Sequence, residues 1–177
     1  MSRVTCNGVS FTASPVNGTN GIVPQNTLYS WAVPTYSSTI VGGQSGSDQL
    51  FITGTLSTVS TVSEQVYYRV TPKLGDCTGT IFTLTVYLNP IPAINAMSTV
   101  TCSGVTFNVV PVNGVNGLVP VGTIYRWNVP STTATMIGGQ SDSNKTNVFG
   151  TLRNTQNSLQ TATYVVFPSI TTCGDGS

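Results

Sequence analysis

Four cysteines are the residues of this chain whose type and spacing are best suited to chemistry. Cys6 and Cys102 lie 96 residues apart, as do Cys77 and Cys173. Four cysteines allow three pairings, of which we favour Cys6 with Cys77 and Cys102 with Cys173. Each of these pairs joins the turn that opens one half of the chain to the turn before its last strand, and such disulfides are typical of an oxidising compartment. The alternative is a metal site, but the chain has neither a Cys-x-x-Cys motif nor a histidine.

The side chains needed for catalysis are scarce. Without histidine there is no His-dependent triad and no His-ligated metal. A nucleophilic Ser or Thr would need Lys73 or Lys145 as its base, and both are expected in or near loops. The carboxylates are too few and too dispersed for a calcium site or a glycosidase pair: Asp48, Glu64, Asp76, Asp142 and Asp175. The sequence therefore predicts that the protein is not an enzyme and holds no metal or cofactor.

The composition excludes further classes of function. Charged residues make up 6% of the 177 residues and the net charge is +1, which leaves no basic patch for a nucleic acid. No apolar run reaches the roughly 18 residues of a membrane helix, so membrane insertion is not expected. Instead the chain is rich in Thr, Val and Ser, with 18 Gly and 10 Pro. This composition favours pleated strands joined by turns.

Aromatic residues recur at alternate positions and predict a core. Tyr125, Trp127 and Val129 share one face of a strand, and Arg126 and Asn128 share the other. The predicted core aromatics are Tyr29, Trp31, Tyr68, Tyr125, Trp127 and Tyr164. The alternative is that Trp31 and Trp127 form an exposed platform on which a sugar stacks. We favour core packing because each tryptophan shares its strand face with a tyrosine two residues before it and a valine two residues after it.

Two glycine motifs occur once in each half of the chain. Gly42-Gly43-Gln44 and Gly138-Gly139-Gln140 superficially resemble phosphate-binding loops, but no helix follows either one, which favours a bend between strands. Asn17-Gly18 and Asn20-Gly21 recur as Asn113-Gly114 and Asn116-Gly117. They are either a recognition loop or a turn, and we favour the turn because Asn and Gly tolerate positive φ.

The elements that position these residues come from a tandem duplication. Residues 4–77 align without a gap on residues 100–173, with 32 identities in 74 positions. A period of 96 residues fits an immunoglobulin-sized sandwich. We therefore predict an all-β chain with two tandem Ig-like β-sandwich domains of about seven short antiparallel strands each. The predicted domains are residues 1–89 and residues 90–177.

Each copy is short by one segment. The strand predicted for residues 80–88 has no counterpart after Cys173, so repeat 2 is expected to lack its last strand. The segment 91–101 has no counterpart before Val4. The chain resembles a cut from a longer array, and an open sheet edge of this kind pairs readily with another strand. Head-to-tail self-association by strand addition is one expected consequence.

The sequence resembles a known family at several motifs. They are Thr101-Cys102-Ser103-Gly104, the stretch from Pro111 to Pro120, Tyr125-x-Trp127, and the closing segment 164–168 with Cys173. These are similar to the PKD-like, Ig-like repeats found in tandem in giant secreted surface proteins of Bacteroidota, including gliding-motility adhesins exported by type IX secretion. The resemblance implies a stalk or filament repeat outside the outer membrane whose partners are neighbouring repeats of the same chain. The Trp-Asp-Phe-Gly signature of PKD domains proper does not occur in the chain, so their calcium and polysaccharide roles are not carried over.

These observations predict a non-enzymatic structural repeat, a stalk or spacer of a large bacterial cell-surface adhesin or filament that supports adhesion or gliding. One alternative is a carbohydrate-binding β-sandwich module that recognises surface polysaccharide. The other is a filament subunit that exchanges strands. In each case the expected location is extracellular, on the bacterial cell surface.

Overall fold

The computed structural model describes residues 1–175, and these residues form strands, turns and loops. Contacts between Cα atoms divide the chain into Met1–Pro90 and Ile91–Ser177, here called unit 1 and unit 2. The division lies one residue after the boundary expected from the repeat. Within the described range, no helix is long and apolar enough to cross a membrane.

Unit 1 has nine strands, which form two sheets. The strands are β1 (Ser2–Cys6), β2 (Ser10–Ala13), β3 (Leu28–Trp31), β4 (Ile40–Gly42), β5 (Gly46–Gln49), β6 (Ile52–Thr58), β7 (Glu64–Leu74), β8 (Cys77–Thr78) and β9 (Phe82–Asn89). One sheet has the order β1-β9-β7-β3-β5, with β8 paired to β7. The other has the order β2-β6-β4. Within the first sheet β1 runs parallel to β9, whereas β7 runs antiparallel to it.

The core of unit 1 lies between these two sheets and follows the alternation of its strands. Along β7, Val66, Tyr68 and Val70 are buried and the residues between them are exposed. From the facing sheet, Phe11 and Leu56 join the same apolar cluster. Because residues two apart share a face of a strand, each strand contributes one face to the core and one to solvent. Unit 1 is therefore a β-sandwich.

Unit 2 has nine strands in the described range. They are β10 (Ala93–Ile94), β11 (Thr106–Val109), β12 (Gly117–Leu118), β13 (Ile124–Trp127), β14 (Met136–Gly138), β15 (Asp142–Lys145), β16 (Val148–Asn154), β17 (Val166–Ile170) and β18 (Gly174–Asp175). The sheets have the orders β15-β13-β17-β18, β11-β16-β14 and β10-β12. The first two correspond to the two sheets of unit 1.

The core of unit 2 is less enclosed than that of unit 1. Four buried residues form its apolar cluster, Phe107, Tyr125, Trp127 and Val148, and Met136 is also buried. Tyr164, which is equivalent to the fully buried Tyr68, is only partly buried. The difference follows from the sheet order, because nothing in the described part of unit 2 takes the position that β9 takes in unit 1.

Strand boundaries do not follow the alternation of apolar and polar residues at two places. The polar stretch after each Gly-Gly-Gln motif forms a strand, β5 or β15, although it has no apolar alternation. The alternating segment 161–168 is a strand only from Val166. Residues 161–165 form one isolated bridge, between Thr163 and Ser131. Among the described residues they have no partner strand on the side where β9 pairs with β7 in unit 1. Alternation shows which face a strand buries, but a strand also needs a partner.

Candidate functional site

The cysteines differ from the predicted pairs. Cys77 and Cys102 are free and exposed, while Cys6 and Cys173 are disulfide-bonded. The predicted pairings Cys6–Cys77 and Cys102–Cys173 are therefore wrong.

The sheet register gives the physical reason. Cys6 lies opposite Asn89, at one end of β9. Cys77 lies opposite Leu74, beyond the other end of β9. At roughly 3.3 Å per residue, these positions are on the order of 30 Å apart along the sheet. A disulfide needs Cα atoms within about 7 Å of each other, so the two cysteines do not share a pole of the sandwich.

Both tryptophans are core residues with their indole N–H groups satisfied. Trp31 is 7% exposed and its Nε1 donates to the Gln44 carbonyl over 2.8 Å. Trp127 is 3% exposed and donates to the Gln140 carbonyl over 3.0 Å. The Gly-Gly-Gln motifs therefore form bends that receive the indoles. Neither ring offers the open face that a stacking sugar requires.

The Asn-Gly segments form the same turn in both units. In unit 1, Asn20 Oδ1 accepts from the Val16 amide and Asn17 Oδ1 accepts from the Val23 amide, each at 2.9 Å. In unit 2, Asn116 and Asn113 accept the equivalent bonds. Because these amide side chains are used inside the turn, their shared role is structural.

The charged side chains are scattered, and no group of three His, Cys, Asp or Glu residues that could hold a metal occurs between residues 1 and 175. Asp142 pairs with Lys145 at 3.5 Å on β15. Lys73 lies one residue before the end of β7 and Lys145 ends β15, so both lysines are in strands next to loops. Asp175 falls in β18. Its side chain lies outside the described part of the structure.

Glu64 is the most engaged carboxylate among the described residues. Ser37 and Thr39 donate to its Oε1 over 2.7 and 2.6 Å, and Thr58 donates to its Oε2 over 2.6 Å. Burial alone would raise the pKa of Glu64, but the three hydroxyl bonds outweigh it and hold the pKa below its usual value. With its lone pairs engaged in this way, Glu64 is a structural anion rather than a general base.

An apolar cleft of about 830 Å³ opens on unit 1. Its lining includes Ile22, Tyr29, Leu74 and Phe82. Ile22 is 94% exposed, which is unusual for a large apolar side chain next to a core aromatic. The cleft is a concave, mainly apolar surface of unit 1 and is a candidate docking site.

The equivalent region of unit 2 is covered by the unit's own leading segment. Ala93 and Ile94 of β10 pair with Leu118 and Gly117 of β12, and Ile94 packs against the core. A Cβ on Gly117 would clash with the Ala93 carbonyl oxygen, whereas a Cβ on the equivalent Gly21 would meet open space. The two units thus share one site, which is filled in unit 2 and open in unit 1.

A second open feature is the sheet edge of unit 2. Residues 160–165 correspond to Glu64–Arg69 of β7, which pair with β9 in unit 1. Residues 98–102 correspond to β1 and form no strand. Here the "open edge" means these two segments, 98–102 and 160–165.

A polar groove lies on unit 1 beside Glu64. It is lined by Thr35, Tyr36, Ser37, Ser63, Glu64, Gln65 and Tyr67. Tyr67 is 41% exposed and its hydroxyl donates to Gln65 Oε1 over 2.7 Å. The sequence reasoning missed this groove. The available signal was a break in the duplication, since Tyr36 and Tyr67 are replaced by Thr132 and Thr163 in the second copy.

Comparison with known proteins assigns the sandwich to a family. A profile of the PKD-like domain matches residues 3–92, just over half of the chain. No curated protein matches the chain, and no solved structure does either. The matched range contains both sheets of unit 1 and the shared apolar cluster between them. The sequence match and the two-sheet core agree, and the chain belongs to the PKD-like domain family.

Proposed function

We propose that this chain is a pair of non-enzymatic structural repeats that act as a spacer in a large adhesin or filament. The proposal rests on the continuous stretch from β9 to β10, which contributes core residues to both units. β9 supplies the fully buried Leu84, Val86 and Leu88 to unit 1. β10 begins four residues after β9 ends and supplies Ile94 to the core of unit 2. A stretch that ends one repeat and opens the next is suited to long rows of repeats.

The distribution of chemical groups supports a structural role. The indoles, the Asn side chains and the Glu64 carboxylate all form bonds that hold loops and strands in place. Membership of the PKD-like domain family supports an Ig-like structural or adhesion role, which agrees with this use of the polar groups.

The cell-surface location is part of the same proposal. Disulfide bonding at Cys6 and Cys173 favours an oxidising environment. The resemblance to repeats of giant Bacteroidota adhesins supports an extracellular position, export by type IX secretion and a part in gliding motility. Neighbouring repeats of the same long chain are then the natural partners.

A carbohydrate-binding module is the second candidate, and the polar groove favours it. An exposed Tyr67 ring next to the Gln65 amide offers one stacking surface and one hydrogen-bonding group for a sugar. Against this candidate, the Glu64 carboxylate already accepts three hydroxyl bonds, and unit 2 has no aromatic residue at the positions of Tyr36 and Tyr67. A third candidate, a strand-exchanging filament subunit, is favoured by the open edge of unit 2.

A binding titration separates the spacer from the carbohydrate module. The ¹⁵N-labelled chain is titrated with surface polysaccharide from the source bacterium while amide shifts are recorded. For a spacer we expect no saturable shifts. Saturable shifts that cluster around Tyr36, Glu64 and Tyr67 would overturn the proposal if Tyr67→Ala abolished them. Tyr87→Ala is the matched control, because Tyr87 is similarly exposed at 38% but does not line the groove.

A further inference from the structure

The four cysteines of the chain occupy two kinds of position. Cys6 and Cys102, which are equivalent in the duplication, are here called the opening cysteines, and the equivalent Cys77 and Cys173 are called the closing cysteines. The disulfide-bonded cysteines, Cys6 and Cys173, are one of each kind. The free cysteines, Cys77 and Cys102, are also one of each kind, and both are exposed. The chain therefore presents one opening and one closing thiol on its surface.

The two opening cysteines lie in the same turn. The Val9 amide donates to the Cys6 carbonyl over 2.9 Å, and the Val105 amide donates to the Cys102 carbonyl over 3.0 Å. Because the turn recurs, the backbone holds the free Cys102 as it holds a cysteine that forms a disulfide.

The two closing cysteines lie in equivalent hairpin turns. Cys77 pairs with Leu74 across the turn between β7 and β8. The Cys173 amide donates to the carbonyl of Ile170, which is the equivalent of Leu74, over 3.0 Å. The free Cys77 thus follows the same strand end as its disulfide-bonded equivalent.

We propose that Cys77 and Cys102 are the sites of a disulfide between two copies of this chain, in which the closing cysteine of one copy bonds to the opening cysteine of the next. The partner is a second copy because every copy carries both thiols exposed, and because the disulfide-bonded cysteines are already one of each kind. Since each copy contributes one thiol of each kind, the linkage is head-to-tail and extends from copy to copy. The proposal does not depend on the spacer role, since it rests on the cysteines alone.

The bond forms by thiol–disulfide exchange with a low-molecular-weight disulfide, such as oxidised glutathione, as the oxidant. The Cys77 thiolate attacks this disulfide, which breaks its S–S bond, forms a mixed disulfide and releases one glutathione thiolate. The Cys102 thiolate of the second copy then attacks the Cys77 sulfur and displaces the other glutathione thiolate. Two protein thiols are oxidised and one small disulfide is reduced to two thiols, which take up the two protons that the cysteines lost.

The test follows oxidation of the whole chain. Equal amounts of ¹⁵N-labelled and unlabelled chain are incubated with oxidised glutathione and analysed by non-reducing electrophoresis and peptide mapping. We expect a ladder of oligomers that a reductant converts back to monomer. The Cys77–Cys102 peptides should include ones with one labelled and one unlabelled half, because only a bond between copies produces them.

Variants distinguish this pairing from random coupling of exposed thiols. Cys77→Ser alone and Cys102→Ser alone should each lose every oligomer larger than a dimer, since each retains one free thiol. An equal mixture of the two variants should form a dimer in which Cys102 of one is bonded to Cys77 of the other. The matched control is Cys102→Ser with Val100→Cys, which moves the opening thiol to a position that is 86% exposed. It should lose the ladder, because the thiol stays exposed but leaves the turn that Cys102 shares with Cys6.

Four results would overturn the proposal. Cys77–Cys102 peptides that never carry mixed label would place the bond within one chain. Capping of both thiols by glutathione without oligomers would show that no second copy is captured. An equal ladder from the control, or a majority of bonds between two cysteines of the same kind, would show that any exposed thiol suffices. None of these results would change the polysaccharide titration, so the two proposals fail independently.

Discussion

At the scale of single residues, the hydroxyl of Tyr68 is the least satisfied group of unit 1. It is buried without a hydrogen-bond partner, and so is the equivalent hydroxyl of Tyr164. Tyr68 lies among Gly43, Gly54 and Phe11, whose small or apolar surfaces leave room for the ring but supply no acceptor. Burial raises the pKa of Tyr68 to about 12, with a smaller contribution from the nearby Tyr36.

Tyr68→Phe should stabilise unit 1 by about 1 kcal/mol, because it removes a buried polar group that has no partner. A Trp127→Phe background leaves Trp31 as the reporter of unit 1 during urea unfolding. Tyr67→Phe is the control, since the Tyr67 hydroxyl is bonded and the residue is exposed. A loss of stability in Tyr68→Phe would show that the hydroxyl has a partner after all.

The raised pKa of Tyr68 also predicts a pH dependence at the alkaline end. The folded state favours the neutral phenol, so this contribution is fully present below the unfolded pKa near 10 and is lost as the pH rises through about 12. Urea unfolding between pH 9 and 12 should show this loss in the wild-type chain and a smaller one in Tyr68→Phe. Identical pH profiles for the two proteins would contradict the assignment.

The thiols give a second prediction at this scale. Iodoacetamide should alkylate Cys77 and Cys102 in the folded, non-reduced chain, because both are free and exposed. Cys6 and Cys173 should react only after reduction and unfolding. Intact mass followed by peptide mapping reads this directly. Alkylation of Cys6 in the non-reduced protein would contradict the structure.

At the scale of elements, β10 is what distinguishes the two otherwise equivalent turns. Gly21 and Gly117 have nearly the same φ, 108° and 106°. Ala therefore costs both turns a similar strain, of about 1 kcal/mol or more. Only at Gly117 does the new Cβ meet the Ala93 carbonyl oxygen. The difference between the two variants thus isolates the β10–β12 pairing.

Gly117→Ala should lower the stability of unit 2 by roughly 1 to 3 kcal/mol more than Gly21→Ala lowers that of unit 1. Each unit has its own tryptophan, so Trp31→Phe and Trp127→Phe backgrounds report the two units separately in urea unfolding. Equal losses in the two variants would mean that β10 does not stabilise unit 2.

Elements also show where sequence reasoning succeeded and where it could not. The alternation identified the strand and the burial of Tyr125 and Trp127, because period-2 patterning reports burial. It was wrong for Val129, which lies beyond the end of β13 and is 64% exposed. The disulfide pairing failed because a spacing of residues does not reveal which end of a sheet a cysteine occupies. That depends on β1 running parallel to β9, a non-local pairing with no signature in the sequence.

At the scale of the whole molecule, the duplication was visible in the sequence, but the consequences of its incomplete copies were not. The lack of a β9 counterpart predicted an open edge in repeat 2. It did not predict that residues 161–165 would lie outside the strand that begins at Val166. Alternation alone does not show this, because a strand also needs a neighbouring strand to pair with. Likewise, the cleft on unit 1 is recognised only by comparison with β10, which fills the same position in unit 2.

The most direct test of the proposed spacer role is a replacement in the source organism. Residues 1–177 are exchanged for two unrelated Ig-like sandwiches of the same length in the gene that encodes them, and surface display, adhesion and gliding are measured beside a clean deletion. A spacer acts through its length and folded shape, so the replacement should retain these properties and do better than the deletion. A replacement that is displayed on the surface but performs no better than the deletion would contradict the account, because residues specific to this chain would then be required.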